Sequence, residues 1–222
     1  QVVVTDLDAD RAAEVVEDLG REGVQATSAG LDVTDDAAVA AAVAQVIDSY
    51  GQIDVLHSHA GCQVEGNLEQ VSVEGMDLSW RLNVRSHFII ARATVGYMRT
   101  RGGGSIIITA SNSGVQYDRE MIAYATTKHA VVAMTRQMGA DYACDNIRFN
   151  ALCPGFIDTP FNAGFEKQMG GRDKLEQYVE KSIPMRRWGS TDEVADSILF
   201  LASDMSTFMT GHALVIDGGE CI

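Results

Sequence analysis

An α/β fold built on one doubly wound parallel sheet is predicted by three features of this 222-residue chain. Short β-branched or apolar runs alternate with helical patterns from one end to the other. The helical stretches carry recognisable starts and stops. The chemically suggestive residues Asp6, Asp32, Ala60-Gly61, Ser111 and Pro154-Gly155 all follow predicted strands, and ligands of such sheets sit outside the carboxyl ends of the strands. There is no internal repeat, low-complexity tract or linker, so one domain over residues 1–222 is expected, long enough to bury a substantial core.

Val2-Val3-Val4 opens the pattern as a strand, followed by a helix from Asp10 to Leu19 that stops at Gly20. A second strand is predicted over Val24 to Ser28. Thr34 is placed to cap the next helix, with Asp35 and Asp36 at its positive end, and Gly51 closes that helix after Tyr50. The third strand is Ile53 to His57. A long helix is predicted from Met76 to Met98, then a glycine turn at Gly102–Gly104 and a fully buried strand starting at Ile106-Ile107-Ile108. The helix over 121–143 carries Tyr124 and Lys128, and the strand Ile147 to Leu152 follows it. Residues 156–187 read as irregular with short helical segments. Ser190 and Glu193 form a capping box for a helix running to Ala202, and Ala213 to Ile216 is the last strand, closed by Gly218-Gly219.

Composition narrows the function classes. A formal charge of −14 repels phosphate backbones and acidic membranes, so no nucleic-acid partner and no membrane association are expected. No apolar run reaches the ~18 residues of a membrane span, and the start lacks the pattern of a secretory signal. The four scattered cysteines lack paired spacing and read as reduced, which points to the cytoplasm.

Tyr124 and Lys128 stand at i and i+4, on one helical face. A phenol holds its proton near pH 10, so a neighbouring ammonium is what would let it shuttle protons near neutrality. That suggests alcohol–ketone chemistry. Alone the pair is weak: at these tyrosine and lysine counts it arises by chance in roughly one chain in ten. Its context is specific. Ser111 precedes Tyr124 by thirteen residues, Asn83 stands in Leu82-Asn83-Val84, and Pro154-Gly155-Phe156-Ile157-Asp158-Thr159 follows. Thr210-Gly211 and Leu214-Val215-Ile216-Asp217-Gly218-Gly219 complete the set.

With these motifs the whole chain resembles a short-chain dehydrogenase/reductase. The resemblance implies a Rossmann-like fold and a catalytic tetrad of Asn83, Ser111, Tyr124 and Lys128. In it Tyr124 is the general acid/base, Ser111 bonds the substrate oxygen, Lys128 lowers the phenol pKa and holds the nicotinamide ribose, and Asn83 positions a relay water. It also implies that Asp6, with Leu7 beside it, binds the adenosine ribose. A carboxylate there repels a 2′-phosphate and favours NAD over NADP. Asp32-Val33 resembles the lining of the adenine pocket, Pro154-Gly155 the segment under the nicotinamide, and Ile157 and Thr159 its carboxamide contacts. Long helices at 76–98 and 121–143 resemble those that assemble the family's homo-oligomers, dimers or tetramers. The implied partner is a small secondary alcohol or ketone.

Two departures accompany the resemblance. Ser58-His59-Ala60-Gly61 stands where the family has Asn-Asn-Ala-Gly. The small pair Ala60-Gly61 keeps a close approach to the cofactor, and His59 joins the cofactor-binding set. His57 and His59 share a strand face, but without a third ligand no metal is expected. The family pattern also places a strand, a Thr-Gly-x-x-x-Gly-x-Gly turn and a helix ahead of Asp6, about 30 residues, and that first strand lies centrally between the strands at Val2–Val4 and Ile53–His57. This sequence begins at Gln1 without them, and we expect the natural protein to carry them.

Residues 156–187 occupy the place of a substrate lid. They mix Phe161, Phe165, Met169 and Tyr178 with Lys167, Arg172, Lys174 and Lys181, which suggests an apolar pocket with a cationic rim. Tyr117, Arg119 and Glu120 are candidates for the same pocket. Two other readings compete: a catalytically inactive nucleotide-sensing or scaffolding relative, and a hydrolase using Ser111 with a histidine. The second lacks a Gly-x-Ser-x-Gly elbow.

Overall fold

A computed structural model describes residues 1–222. β1 (Val2–Asp6) and β2 (Ala26–Gly30) pair in parallel, joined by α1 (Ala9–Arg21). Asp8 caps α1 by accepting from the Asp10 N–H. The cap of α2 (Asp36–Tyr50) is Asp35 rather than the expected Thr34: its carboxylate accepts from the N–H groups of Ala37 and Ala38. Thr34 is engaged elsewhere, both its N–H and its hydroxyl donating to Asp32 Oδ1 at 2.8 and 2.7 Å. Gly51 ends α2 in the left-handed region at φ +79°, as glycine allows.

The second sheet runs β3 (Val55–Ser58), β4 (Gly104–Thr109), β5 (Ile147–Pro154) and β6 (Ala213–Ile216), all parallel and in that spatial order. The parallel α/β fold is thus the predicted one. Its sheet comes in two pieces, β1-β2 and β3-β4-β5-β6.

Between β3 and β4 the chain forms α3 (Val73–Trp80), a π-helical turn (Arg81–Arg85) and α4 (Ser86–Arg101). One helix over 76–98 is predicted. The structure starts it earlier, because Ser72 Oγ caps by accepting from Gly75 N–H at 3.0 Å, and widens it in the middle. Single π turns inside helices are frequent at functional sites, and this one carries the fully buried Asn83.

β4 organises the core. Alternate side chains of a strand point to opposite faces. Ile106 and Ile108 pack with Met98 of α4, Val131 and Val132 of α5 (Ile122–Tyr142), and Phe149 of β5. Ile107 packs on the other side with Leu152 and with Leu201 of α8 (Thr191–Ala202). All three isoleucines are fully buried, and each such burial contributes about 1.5–3 kcal/mol, enough to hold the register. That register delivers Thr109 and Ser111 to the carboxyl edge of the sheet.

The capping box of α8 forms as predicted, Glu193 N–H donating to Ser190 Oγ and Ser190 N–H to Glu193 Oε2. Residues 156–187 contain α6 (Ala163–Met169) and α7 (Arg172–Ser182). No helix is long and apolar enough to cross a membrane.

Candidate active site

The first turns of α5 carry Tyr124 and Lys128, one turn apart, both buried. Lys128 Nζ donates to the Thr109 carbonyl at 3.0 Å, which fixes the ammonium at the end of β4. It lies 5.6 Å from the centre of the Tyr124 ring. Burial pushes the phenol up to about 12, opposed in part by a hydrogen bond from Ser111. Burial also depresses the lysine to about 8. Desolvation is thus the leading cause of both shifts.

Ser111 follows β4 in extended conformation and caps the 3₁₀ turn Asn112–Gly114, accepting from Ser113 N–H at 3.2 Å. Its hydroxyl also donates to Asn112 Oδ1 at 3.2 Å. Its hydroxyl's hydrogen-bond partners are Asn112 and Ser113, and no histidine is among them. Gly114 lets this turn lie on α5: a Cβ there would stand 2.7 Å from the Lys128 carbonyl oxygen.

Asn83 is a bracket. Its Oδ1 accepts from Cys62 N–H at 2.7 Å, and its Nδ2 donates to the Cys62 carbonyl at 2.9 Å and to Thr127 Oγ1 at 3.1 Å. It thereby pins the loop after β3 to α5. Gly61 lies under it, and a Cβ there would come within 3.1 Å of Asn83 Oδ1 and 3.5 Å of Lys128 Nζ. Asn83, Ser111, Tyr124 and Lys128 are thus brought together at the carboxyl edge of the sheet by the π turn, the end of β4 and α5.

His57 Nε2 and His59 Nδ1 both meet Thr109 Oγ1, at 2.9 and 3.1 Å. Beside them Ser58 Oγ bonds His87 Nδ1 at 2.7 Å, and His87 Nε2 is buried without a partner. Burial lowers all three imidazoles, His57 to about 4 and His87 to about 3, with the neighbouring Lys128 acting in the same direction on His59 and His87.

The remaining expected residues stand at strand ends. Asp6 ends β1, its Oδ1 accepting from Asp8 N–H at 2.9 Å, and Leu7 beside it is exposed. Asp32, held below the ordinary carboxylate range by its two bonds from Thr34, and the half-buried Val33 follow β2. His59 and Ala60 follow β3 at the open edge of the sheet. Pro154 ends β5, and Gly155 has no room for a side chain, its Cβ falling 2.6 Å from Asp217 Cβ. Ile157 bridges Gly189 in parallel, and Thr159 precedes the 3₁₀ turn Pro160–Asn162.

A nicotinamide dinucleotide fits this donor set. Lys128 uses one of its three N–H donors on Thr109 and has two for a ribose diol, while Asp6 has a second carboxylate oxygen for ribose hydroxyls. Ala60, Gly61 and Gly155 place little side chain at these strand ends.

The segment 156–187 covers the tetrad. Phe165 of α6 packs on Met121, Tyr124 and Ala125, and Phe161 lies 6.4 Å from the Tyr124 ring. Phe156 meets Phe165, Tyr178 and Trp188 edge-on. Of the predicted cationic rim, Arg172 is paired with Asp158, Glu166 and Glu176 and lies 4.4 Å over the Trp188 ring. Tyr117, expected in the pocket, is 90% exposed and stacked on His129.

Two features had no recognisable sequence signal. Gln63 has both amide atoms buried and unpartnered, beside Gly164 of α6. Glu220, after β6, accepts from Asn112 Nδ2 at 2.9 Å and from the Tyr178 hydroxyl at 2.8 Å. A glutamine after a strand and a glutamate near the end of a chain are unremarkable until the fold buries the one and bonds the other to Asn112.

Known proteins agree with this architecture. A family model described as enoyl-(acyl carrier protein) reductase matches residues 1–220. Oxidoreductase UcpA of Salmonella typhimurium is 35% identical over 216 residues, 96% of this chain and 82% of that protein. A gluconate 5-dehydrogenase from Burkholderia cenocepacia, solved with NADP and tartrate, superposes with a TM-score of 0.91 at 32% identity, over 98% of this chain and 84% of that one. A 7α-hydroxysteroid dehydrogenase complexed with NADH and 7-oxo glycochenodeoxycholic acid superposes equally well, TM-score 0.91 at 29% identity, over 99% and 84%. On the motifs, the fold and these relatives, the chain belongs to the short-chain dehydrogenase/reductase family.

Proposed function

We propose that this protein moves hydride reversibly between NAD(H) and a secondary alcohol/ketone pair, with Tyr124 as general acid/base. The observation that carries this is the convergence of Ser111 on the buried Tyr124 phenol with the Lys128 ammonium one helical turn away. Bound at the strand ends, the nicotinamide supplies or accepts the hydride. The chain supplies the proton. With its pKa near 12, Tyr124 rests protonated at neutral pH and holds the proton that a ketone oxygen takes up on reduction. Ser111 shares the charge that develops on that oxygen, and Phe161 and Phe165 close over the reacting carbon.

Asp6 supports NAD over NADP. Exposed Phe88, Tyr97 and Trp80 on and beside α4 support a homo-oligomer, and the cysteine usage supports the cytoplasm. The test is Tyr124→Phe, assayed by NADH absorbance with a panel of secondary alcohols and hydroxyketones. Turnover should fall roughly 10²–10⁴-fold while circular dichroism and NADH binding are unchanged. Turnover retained in the variant refutes the acid/base role, and tighter binding of NADPH than NADH refutes the cofactor assignment.

A further inference from the structure

Four hydrogen-bonding groups form an unbroken line from the lid to the tetrad. The Tyr178 hydroxyl of α7 donates to Glu220 Oε1 at 2.8 Å, and Asn112 Nδ2 donates to Glu220 Oε2 at 2.9 Å. Ser111 Oγ then donates to Asn112 Oδ1 at 3.2 Å. Asn112 is buried, and Glu220 and Tyr178 are partly so.

The chemistry of this line is directional. An ionised carboxylate only accepts, whereas an amide donates at one end and accepts at the other. Glu220 therefore obliges Asn112 to turn its NH₂ outward, which leaves the carbonyl facing Ser111. A serine hydroxyl has one proton and two lone pairs. With its one proton directed to Asn112 and one lone pair taken by Ser113 N–H, Ser111 can donate to a substrate oxygen only when that proton leaves Asn112.

We propose that Glu220 is a positioning residue: its carboxylate sets the amide orientation of Asn112, thereby the direction of the Ser111 hydroxyl, and through Tyr178 couples that setting to the lid. This rests on the proposed role of Ser111 in hydride-transfer chemistry. Protonation of Glu220 removes the constraint, because a carboxylic acid can donate to a flipped Asn112 carbonyl and the NH₂ then faces Ser111. The charged groups facing Glu220 are the carboxylates of Asp118, itself bonded by Ser113 Oγ, and of Asp217 on its own segment; with burial they hold its pKa above the ordinary range. The switch therefore falls closer to neutrality than for a free glutamate. Cys221 adjoins it on the same segment, and its thiol is pushed up to about 12 by burial and by Asp217, so it stays neutral.

The test has two independent readouts. In the wild-type protein, the side-chain amide resonances of Asn112 and the Cβ of ¹³C-labelled Ser111 are followed by NMR against pH. Both should titrate with one common midpoint above the ordinary carboxylate range, and Glu220→Gln should abolish that titration. In parallel, kcat for ketone reduction against pH should show an acid limb at the same midpoint, rising as pH falls because the flipped Asn112 frees the Ser111 proton for the substrate oxygen. In Glu220→Gln that limb should vanish and kcat for ketone reduction should stand about tenfold above wild type at neutral pH, with NADH affinity unchanged. A wild type in which Asn112 and Ser111 do not titrate together overturns the proposal, whatever the activity, and so does a variant that keeps the acid limb. Common titration in a protein that turns over no alcohol or ketone upholds the coupling and overturns only the hydride-transfer reading.

Discussion

The histidines beside the tetrad should make this protein acid-labile well above the range where carboxylates titrate. His87 is fully buried, with Nδ1 on Ser58 and Nε2 without a partner, so an imidazolium there has one proton it cannot place. Its pKa is lowered from 6.5 to about 3, chiefly by burial and then by the Lys128 charge. His57, largely buried beside His59, is lowered from 6.5 to about 4. A base with a depressed folded pKa contributes stability that is complete above its unfolded pKa. That stability is lost as pH falls from there toward the folded value. The window therefore runs downward from 6.5. At 1.36 kcal/mol per pKa unit, moving from pH ~7.5 to pH ~5 costs about 2 kcal/mol for each of the two histidines. Together that is about 4 kcal/mol, against roughly 5–15 kcal/mol for a typical domain. The assay is urea denaturation at half-unit pH steps on wild type and His87→Gln. Their difference isolates His87 from the carboxylates, including Glu220, whose raised pKa acts in the opposite direction. The variant should lose about one proton of linkage, a slope of about 1.4 kcal/mol per pH unit below the unfolded pKa. Parallel curves for the two proteins would refute the reasoning, as would a wild type whose stability is flat over this window.

Asn83→Ala should lower stability by about 1–3 kcal/mol, because the Cys62 N–H and carbonyl lose their partner, and should also lower kcat; chemical denaturation and steady-state kinetics check both. Gly155→Ala should destabilise by about 1–3 kcal/mol through overpacking, since the new Cβ would lie 2.6 Å from Asp217 Cβ; an unchanged melting temperature would contradict the close packing. Alcohol oxidation, which needs the Tyr124 phenolate, should keep rising with pH into the alkaline range, while ketone reduction should not. Initial rates in both directions across pH test this, and a shared alkaline rise would oppose it.

Local chemistry determined much of this protein from sequence alone. Alternating β-branched runs and capped helices predicted the parallel α/β fold, because period and capping are properties of neighbouring residues. The i, i+4 spacing of Tyr124 and Lys128 and the strand-end positions of Ser111 and Pro154-Gly155 made the tetrad legible for the same reason. Capping at the second helix was misassigned because Thr34 and Asp35 are both competent caps, and only the turn at Asp32 decided which was free. Tertiary structure decided everything that depends on burial or on residues far apart in the chain. Spacing placed an ammonium near a phenol, but only packing showed that desolvation raises that phenol and lowers that lysine. Nothing local shows that Arg172 pairs with three carboxylates, or that the Gln63 amide is buried without a partner. The link from Glu220 to Asn112 spans 108 residues, and the fold creates it by ending β4 and β6 at the same edge of one sheet.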